Sequence, residues 1–155
     1  MMESTMHISD IEYEDFEWFA VDALDELAMF TNAGTSSFPE CLSSRLNDLY
    51  GFFSAIQGFE LVSDVTIIIS NDEGRKRNDW TSISRRGIFG YDCNIRNGKR
   101  YEQICAPVSP VKFTSVKASL EGIGIFIASF DGIFQEARII ERDLILQMPF
   151  YDGSK

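Results

Sequence analysis

Histidine is nearly missing from this sequence: the single one, His7, stands close to the start of the chain. Imidazole is the commonest acid–base group and metal ligand near neutral pH. A lone histidine in a polar segment reads as a bystander, and Ser-His-Asp or Cys-His arrangements have no base to build on. Cysteine is scarce too, with Cys41, Cys93 and Cys105 only. An odd count without a C-x-x-C pair is neither a disulfide framework nor a zinc signature, so buried thiols in a reducing compartment are expected. No G-x-x-x-x-G-K-[ST] loop occurs, and Gly122 and Gly124 lack the third glycine of a dinucleotide loop. The apolar run at residues 123–129 is far shorter than the ~20 residues that span a bilayer. The first residues are acidic where a signal peptide would be basic and then apolar. The expectation is a cytoplasmic protein that is not an enzyme, with no catalytic residue, cofactor or metal.

Positive charge is in deficit. Against 24 Asp and Glu there are 14 Lys and Arg, a net charge of −10. Such a chain is repelled by the phosphate backbone and by anionic membrane surfaces, so neither nucleic acid nor membrane is expected as a partner. A basic protein would be attracted and steered in. Acidity that only keeps a protein soluble is the plainer reading. The charge is also unevenly placed. Residues 1–31 hold nine acids and no lysine or arginine, whereas residues 72–100 hold eight bases and four acids. One reading makes the acidic end a docking surface. Its candidate contacts are Asp10, Glu12, Tyr13, Glu14, Asp15, Glu17, Asp25 and Glu26, with Phe16 and Trp18 as further aromatic anchors. The other lets the two segments face each other, within the fold or across a homodimer.

Carboxylates also occur in close pairs: Asp22 with Asp25, Asp72 with Glu73, and Glu141 with Asp143. A glycosidase needs two carboxyl groups at a defined separation. Pairs in turns or at strand edges read as solvated surface.

Apolar material is plentiful. Hydrophobic residues make up 45% of the chain and 13 residues are phenylalanine, enough to pack a core in one domain without metal or disulfide support. Residues 1–15 read as an acidic polar tail and residues 16–155 as a single α+β domain. Its sheet is expected to be mixed or antiparallel, with two to three helices packed on it. Residues 16–22 and 27–31 predict a hairpin, although its turn lacks glycine. Pro39 opens a predicted helix whose stripe is Leu42, Leu46, Leu49, Phe53 and Ile56, with Gly58 as its stop. Residues 61–70 predict a buried strand. Asp79 is the expected cap of a helix over 80–86 that ends at Gly87. Residues 88–93 and 100–106 predict a second hairpin around Asn97-Gly98. A helix over 115–128 and a final strand over 134–146 complete the expectation. Trp18 is expected in the core, and Trp80 is expected to pack its helix onto the sheet.

Trp18-Phe19-Ala20-Val21-Asp22, then Ala28-Met29-Phe30-Thr31-Asn32-Ala33-Gly34, then Phe38-Pro39-Glu40 resembles the opening of a group of small, largely uncharacterised bacterial proteins. Arg86-Gly87-Ile88-Phe89-Gly90-Tyr91-Asp92, Tyr101, Ala106-Pro107 and Pro110 resemble that group's later positions. The likeness covers residues 16–111, and its departure is the first turn, where a glycine is replaced by the run Ala23-Leu24-Asp25-Glu26. Proteins of this kind are similar in size and character to toxin-neutralising immunity proteins. The resemblance thus implies a small protein that blocks a bacterial toxin by direct contact, and it carries over no binding residue. The competing expectation is a homo-oligomeric structural or regulatory domain without catalytic activity. A third, a carboxylate enzyme on an unfamiliar scaffold, requires a concave site with converging acids of perturbed pKa.

Overall fold

A computed structural model describes residues 14–68, 77–96, 98–120 and 126–151. Seven strands form one mixed sheet: β1 (Glu17–Val21), β2 (Leu27–Thr31), β3 (Val65–Ile67), β4 (Phe89–Asn94), β5 (Arg100–Pro107), β6 (Ala128–Ser129) and β7 (Ile139–Ile140). Their order is β3-β5-β4-β2-β1-β6, with β7 also on β5. Both expected hairpins are present and antiparallel, while β1–β6 and β2–β4 are parallel. Four α-helices accompany the sheet: α1 (Leu46–Ile56), α2 (Arg77–Arg85), α3 (Phe113–Val116) and α4 (Arg142–Gln147). The chain is a single α+β domain, as the composition and periodicity indicated.

The central strands are buried on both faces, which is why they read as continuous apolar runs and do not alternate. Trp18 and Ala20 point to one side, with Phe30, Tyr91 and Phe134; Phe19 and Val21 point to the other, with Phe52, Trp80 and Phe113. On the first side the β1–β2–β4 register sets three rings in a column. Trp18 stacks on Phe30 at 4.1 Å and 8°, and Phe30 stacks on Tyr91 at 4.7 Å and 10°. Tyr101 meets Trp18 and Phe30 edge-on. Its hydroxyl accepts from Trp18 Nε1 at 3.1 Å and donates to the Ser37 carbonyl at 2.5 Å. Tyr91 donates to the Ala137 carbonyl and accepts from Gln103. Buried hydroxyls are therefore satisfied inside the ring cluster.

The other side is closed by α1 and α2. Trp80 packs onto β4 because Gly90 makes room. A Cβ there would lie 2.8 Å from the Trp80 ring and 3.0 Å from Cys105 Sγ. Gly90→Ala should accordingly cost about 1–3 kcal/mol by overpacking, read as a lowered denaturation midpoint; an unchanged midpoint would mean the helix shifts freely. Burial pushes the Cys105 thiol up to about 11. All three cysteines are free, with Cys93 and Cys105 buried and Cys41 half-buried, as expected for structural thiols.

Several local expectations are corrected. The helix expected from Pro39 is instead a 3-10 turn at Glu40–Leu42 followed by α1 from Leu46. Leu42 and Leu49 belong to one core cluster and Phe52 and Ile56 to the other, so α1 itself reaches both. Phe53 is half-buried, and Phe52 takes its expected core place. The strand over 61–70 shrinks to β3, an edge strand with Thr66 and Ile67 exposed; residues 69 and 70 lie outside the described residues. Asp79 lies within α2 and does not cap it, and Gly87, at φ 88°, does end that segment. Of the helix expected over 115–128, the described residues form the end of α3 and a 3-10 turn at Lys117–Leu120, residues 128 and 129 are strand β6, and residues 121–125 lie outside the described residues. The final strand over 134–146 is a 3-10 turn at Phe134–Glu136, then β7, then α4. There Ile145 and Met148 are buried at helical spacing while Leu144 is exposed.

Candidate functional site

The acidic first segment is divided by β1. Asp10, Glu12 and Tyr13 lie outside the described residues. Glu14 and Asp15 are exposed just before β1, and Glu14 accepts a hydrogen bond from Tyr50 at 2.9 Å. Glu17 opens the strand and is half-buried. Phe16 and Trp18 are buried, so these two rings are core residues and not surface anchors. Asp25 and Glu26 follow the far end of the strand. At ~3.3 Å per residue, Asp15 and Asp22 stand roughly 23 Å apart, so the candidate acids form two separate patches.

The far patch is built around Asp22. The predicted reading of Asp22 and Asp25 as solvated surface is corrected for Asp22, which is 6% exposed. Its Oδ1 accepts from the backbone N–H groups of Leu24 and Glu26, at 3.0 and 2.9 Å, and its Oδ2 from that of Phe134 at 2.8 Å. This carboxylate does the work of the absent turn glycine, because an aspartate can bond backbone groups a few residues on. Asp25 takes the positive φ, 65°, a conformation that aspartate tolerates better than most residues. Burial raises the Asp22 pKa above 3.8, against the pull of the three backbone donors.

Glu26 is 3% exposed. Its carboxylate accepts from Lys112 Nζ at 3.0 Å and from Gln135 Nε2 at 3.0 Å, so it is engaged within the fold. Asp25 is half-buried, and its Oδ2 accepts from the Thr114 hydroxyl at 2.6 Å and the Thr114 N–H at 3.1 Å. Glu141 and Asp143, the third pair, are exposed as expected; Asp72 and Glu73 lie outside the described residues.

Beside this turn runs an open groove of about 800 Å³. Asp22, Asp25 and Asp131 line it together with Thr114, Phe150 and Tyr151, and among the described residues no lysine or arginine does. Its walls are held by backbone bonds: Ala23 N–H to the Gly132 carbonyl, Ser129 N–H to Pro149, and Tyr151 N–H to Ile127. Tyr151 packs edge-on against Phe113, while Phe150 is 43% exposed. Asp131 is exposed and makes no hydrogen bond or ion pair among the described residues.

No family model, curated protein or solved structure matches this chain.

Asp131, Phe150 and Tyr151 carry no local signal that ties them to the first turn. They join it through strand pairing across more than a hundred residues. Among the described residues no cluster of three or more His, Cys, Asp or Glu could hold a metal ion. No helix among them is long and apolar enough to cross a membrane.

Proposed function

We propose that this protein is an immunity-like binding module that neutralises a bacterial toxin domain by direct contact, inside the cell that makes it. The observation that carries the reading is the groove between the first turn and the C-terminal segment, with three carboxylates, exposed aromatic surface and no lining cation among the described residues. Such a cleft is complementary to a lysine or arginine side chain of a basic partner, by charge and by the ring faces. Exposed Leu24 beside it offers apolar contact. The separate pair Glu14 and Asp15 adds to long-range attraction, as does the net charge of −10.

The carboxylates suit binding better than catalysis. Asp22 is committed to three backbone donors and Asp25 to Thr114. Asp131 alone is uncommitted, whereas carboxylate hydrolysis needs a working pair.

Expression of a neighbouring gene's C-terminal domain, with and without this protein, tests the reading by survival. Protection by the wild type is expected. Asp131→Lys should leave thermal stability within about 0.5 kcal/mol and slow association about tenfold at low salt. A charge-reversed protein that binds and protects like the wild type would remove the groove from the reading.

One observation favours self-association as a second reading. The outer edge of β3 is unpaired among the described residues, and Leu61, Val62, Ile67 and Val108 are exposed on or beside it. Sedimentation against concentration discriminates: a monomer at every concentration ends this reading.

A further inference from the structure

Away from the acidic groove, Arg86 is left with an unanswered recognition edge. It follows the last residue of α2 and folds back on that helix. Its Nη1 donates to the Ser82 carbonyl at 2.9 Å and the Ser82 hydroxyl at 2.6 Å. Its Nε is buried and has no partner, and among the described residues the guanidinium makes no ion pair. Nε and Nη2 form the edge with which arginine grips a carboxylate by two parallel bonds. Anchoring Nη1 on Ser82 orients that edge and leaves it unused. A buried charged donor without an acceptor is a cost that folding alone does not explain.

Two cavities border Arg86. The smaller, about 250 Å³, is lined by Leu61, Thr81, Ser82 and Arg85 beside it, and has no acid. The larger, about 420 Å³, is mixed: Phe59, Val62, Val111 and Val116 give it an apolar wall, and Ser115, Ser119 and Glu60 a polar one. Adjacent Leu61 and Val62 face one cavity each, and the Val62 and Ser63 N–H groups hold that segment to the Arg85 carbonyl at 2.7 and 3.0 Å. Gly87 brings Val111 in: at φ 88° it sits so close that a Cβ would lie 2.8 Å from Val111 Cβ.

We propose that this double cleft binds a small amphipathic carboxylate. The oxyanion lies on the Arg86 edge with Arg85 and Ser82 nearby, and the apolar body lies along the Phe59, Val62, Val111 and Val116 wall of the larger cavity. Nε is sealed from water in the free protein, so the oxyanion engages it after a local shift of the surrounding side chains. This site is independent of the acidic groove and of any toxin partner.

Calorimetric titration of the full chain with octanoate, below its micelle-forming concentration, tests the proposal. Saturable binding is expected, with octanamide and acetate each at least about tenfold weaker, since one lacks the charge and the other the body. Arg86→Lys should lose about tenfold in octanoate affinity, because an ammonium cannot form the two-bond fork. Absence of saturable octanoate binding overturns the proposal. So does octanamide binding equally, which would mean a merely apolar cleft, or acetate binding equally, which would mean the larger cavity is unused. Wild-type affinity in Arg86→Lys also overturns it. If that variant does not fold, the octanoate and octanamide comparison on the wild-type protein decides.

Discussion

Phe30→Ala should lower the unfolding free energy by about 3–5 kcal/mol. Phe30 is fully buried at the middle of the sheet. It stacks between Trp18 and Tyr91 and meets Tyr101 and Phe134 edge-on. Truncation removes the transfer energy of the ring and leaves a cavity whose walls cannot collapse. Trp18 and Tyr101 are joined by a hydrogen bond, and Tyr91 is held by Gln103 and the Ala137 carbonyl. Each aromatic pair is worth about 0.5–1.5 kcal/mol beyond area burial, and losing four contacts at once takes the total to the top of the range. A domain of this size has about 5–15 kcal/mol in hand, so Phe30→Ala should unfold at a much lower denaturant concentration. Phe30→Leu, which keeps most of the volume, should lose markedly less. Equal losses for the two variants would show that ring stacking adds nothing to burial here.

The second large effect is expected at Asp22. Asp22→Ala leaves the N–H groups of Leu24, Glu26 and Phe134 without their acceptor, at a cost of about 3–4 kcal/mol in all. Asp22→Asn keeps one acceptor oxygen but sets an amide donor or an acceptor in the wrong place for one of the partners, and should lose about 1–3 kcal/mol. The pH dependence separates charge from shape. Desolvation holds the folded-state pKa of Asp22 above 3.8, so the folded protein binds this proton more tightly than the unfolded chain. Through this group, stability rises as pH falls from the folded value towards 3.8, and is lost again as pH rises through the folded value. The asparagine variant has no such titration. The stability advantage of wild type over Asp22→Asn should therefore grow on acidification across that window. A constant difference would mean that the carboxyl titrates alike in both states.

Glu26 teaches a related lesson about acidic residues. By composition it belongs with a charged end built for docking, yet its carboxylate is buried against Lys112 and Gln135. Nothing near Glu26 in the chain announces this, because its partners lie 86 and 109 positions away. Phe16 departs from the anchor reading in the same way, while Trp18 takes the core place expected of it; the burial of both depends on which strands flank β1.

Local pattern was enough wherever the physics is local. Turn chemistry marks the second hairpin, where Gly98 takes a positive φ of 71°; the first was legible from its two flanking strands alone, and its turn places Asp25 at 65°. Aromatic and β-branched residues mark β1 and β2 as strands, while their burial on both faces came from the layers packed on them. Abundant rings and few special residues mark a packed α+β domain without disulfides. Other features were settled by contacts distant in sequence. Residues 134–146 have the residues of a strand, but only β7 finds a partner in β5, and the following turn coils into α4 to seat Ile145 and Met148 in the core. The stripe beginning at Leu42 is divided between a 3-10 turn and α1, with Leu42 and Leu49 in one core cluster and Ile56 in the other. The groove exists because residues 149–151 pair beside β6 and bring Phe150 and Tyr151 to Asp22, Asp25 and Asp131. Periodicity and turn preference act over a few residues and can be read from one segment at a time. Which segments meet, and therefore which charges are buried and which are offered to a partner, follows from the packing energy of the whole chain.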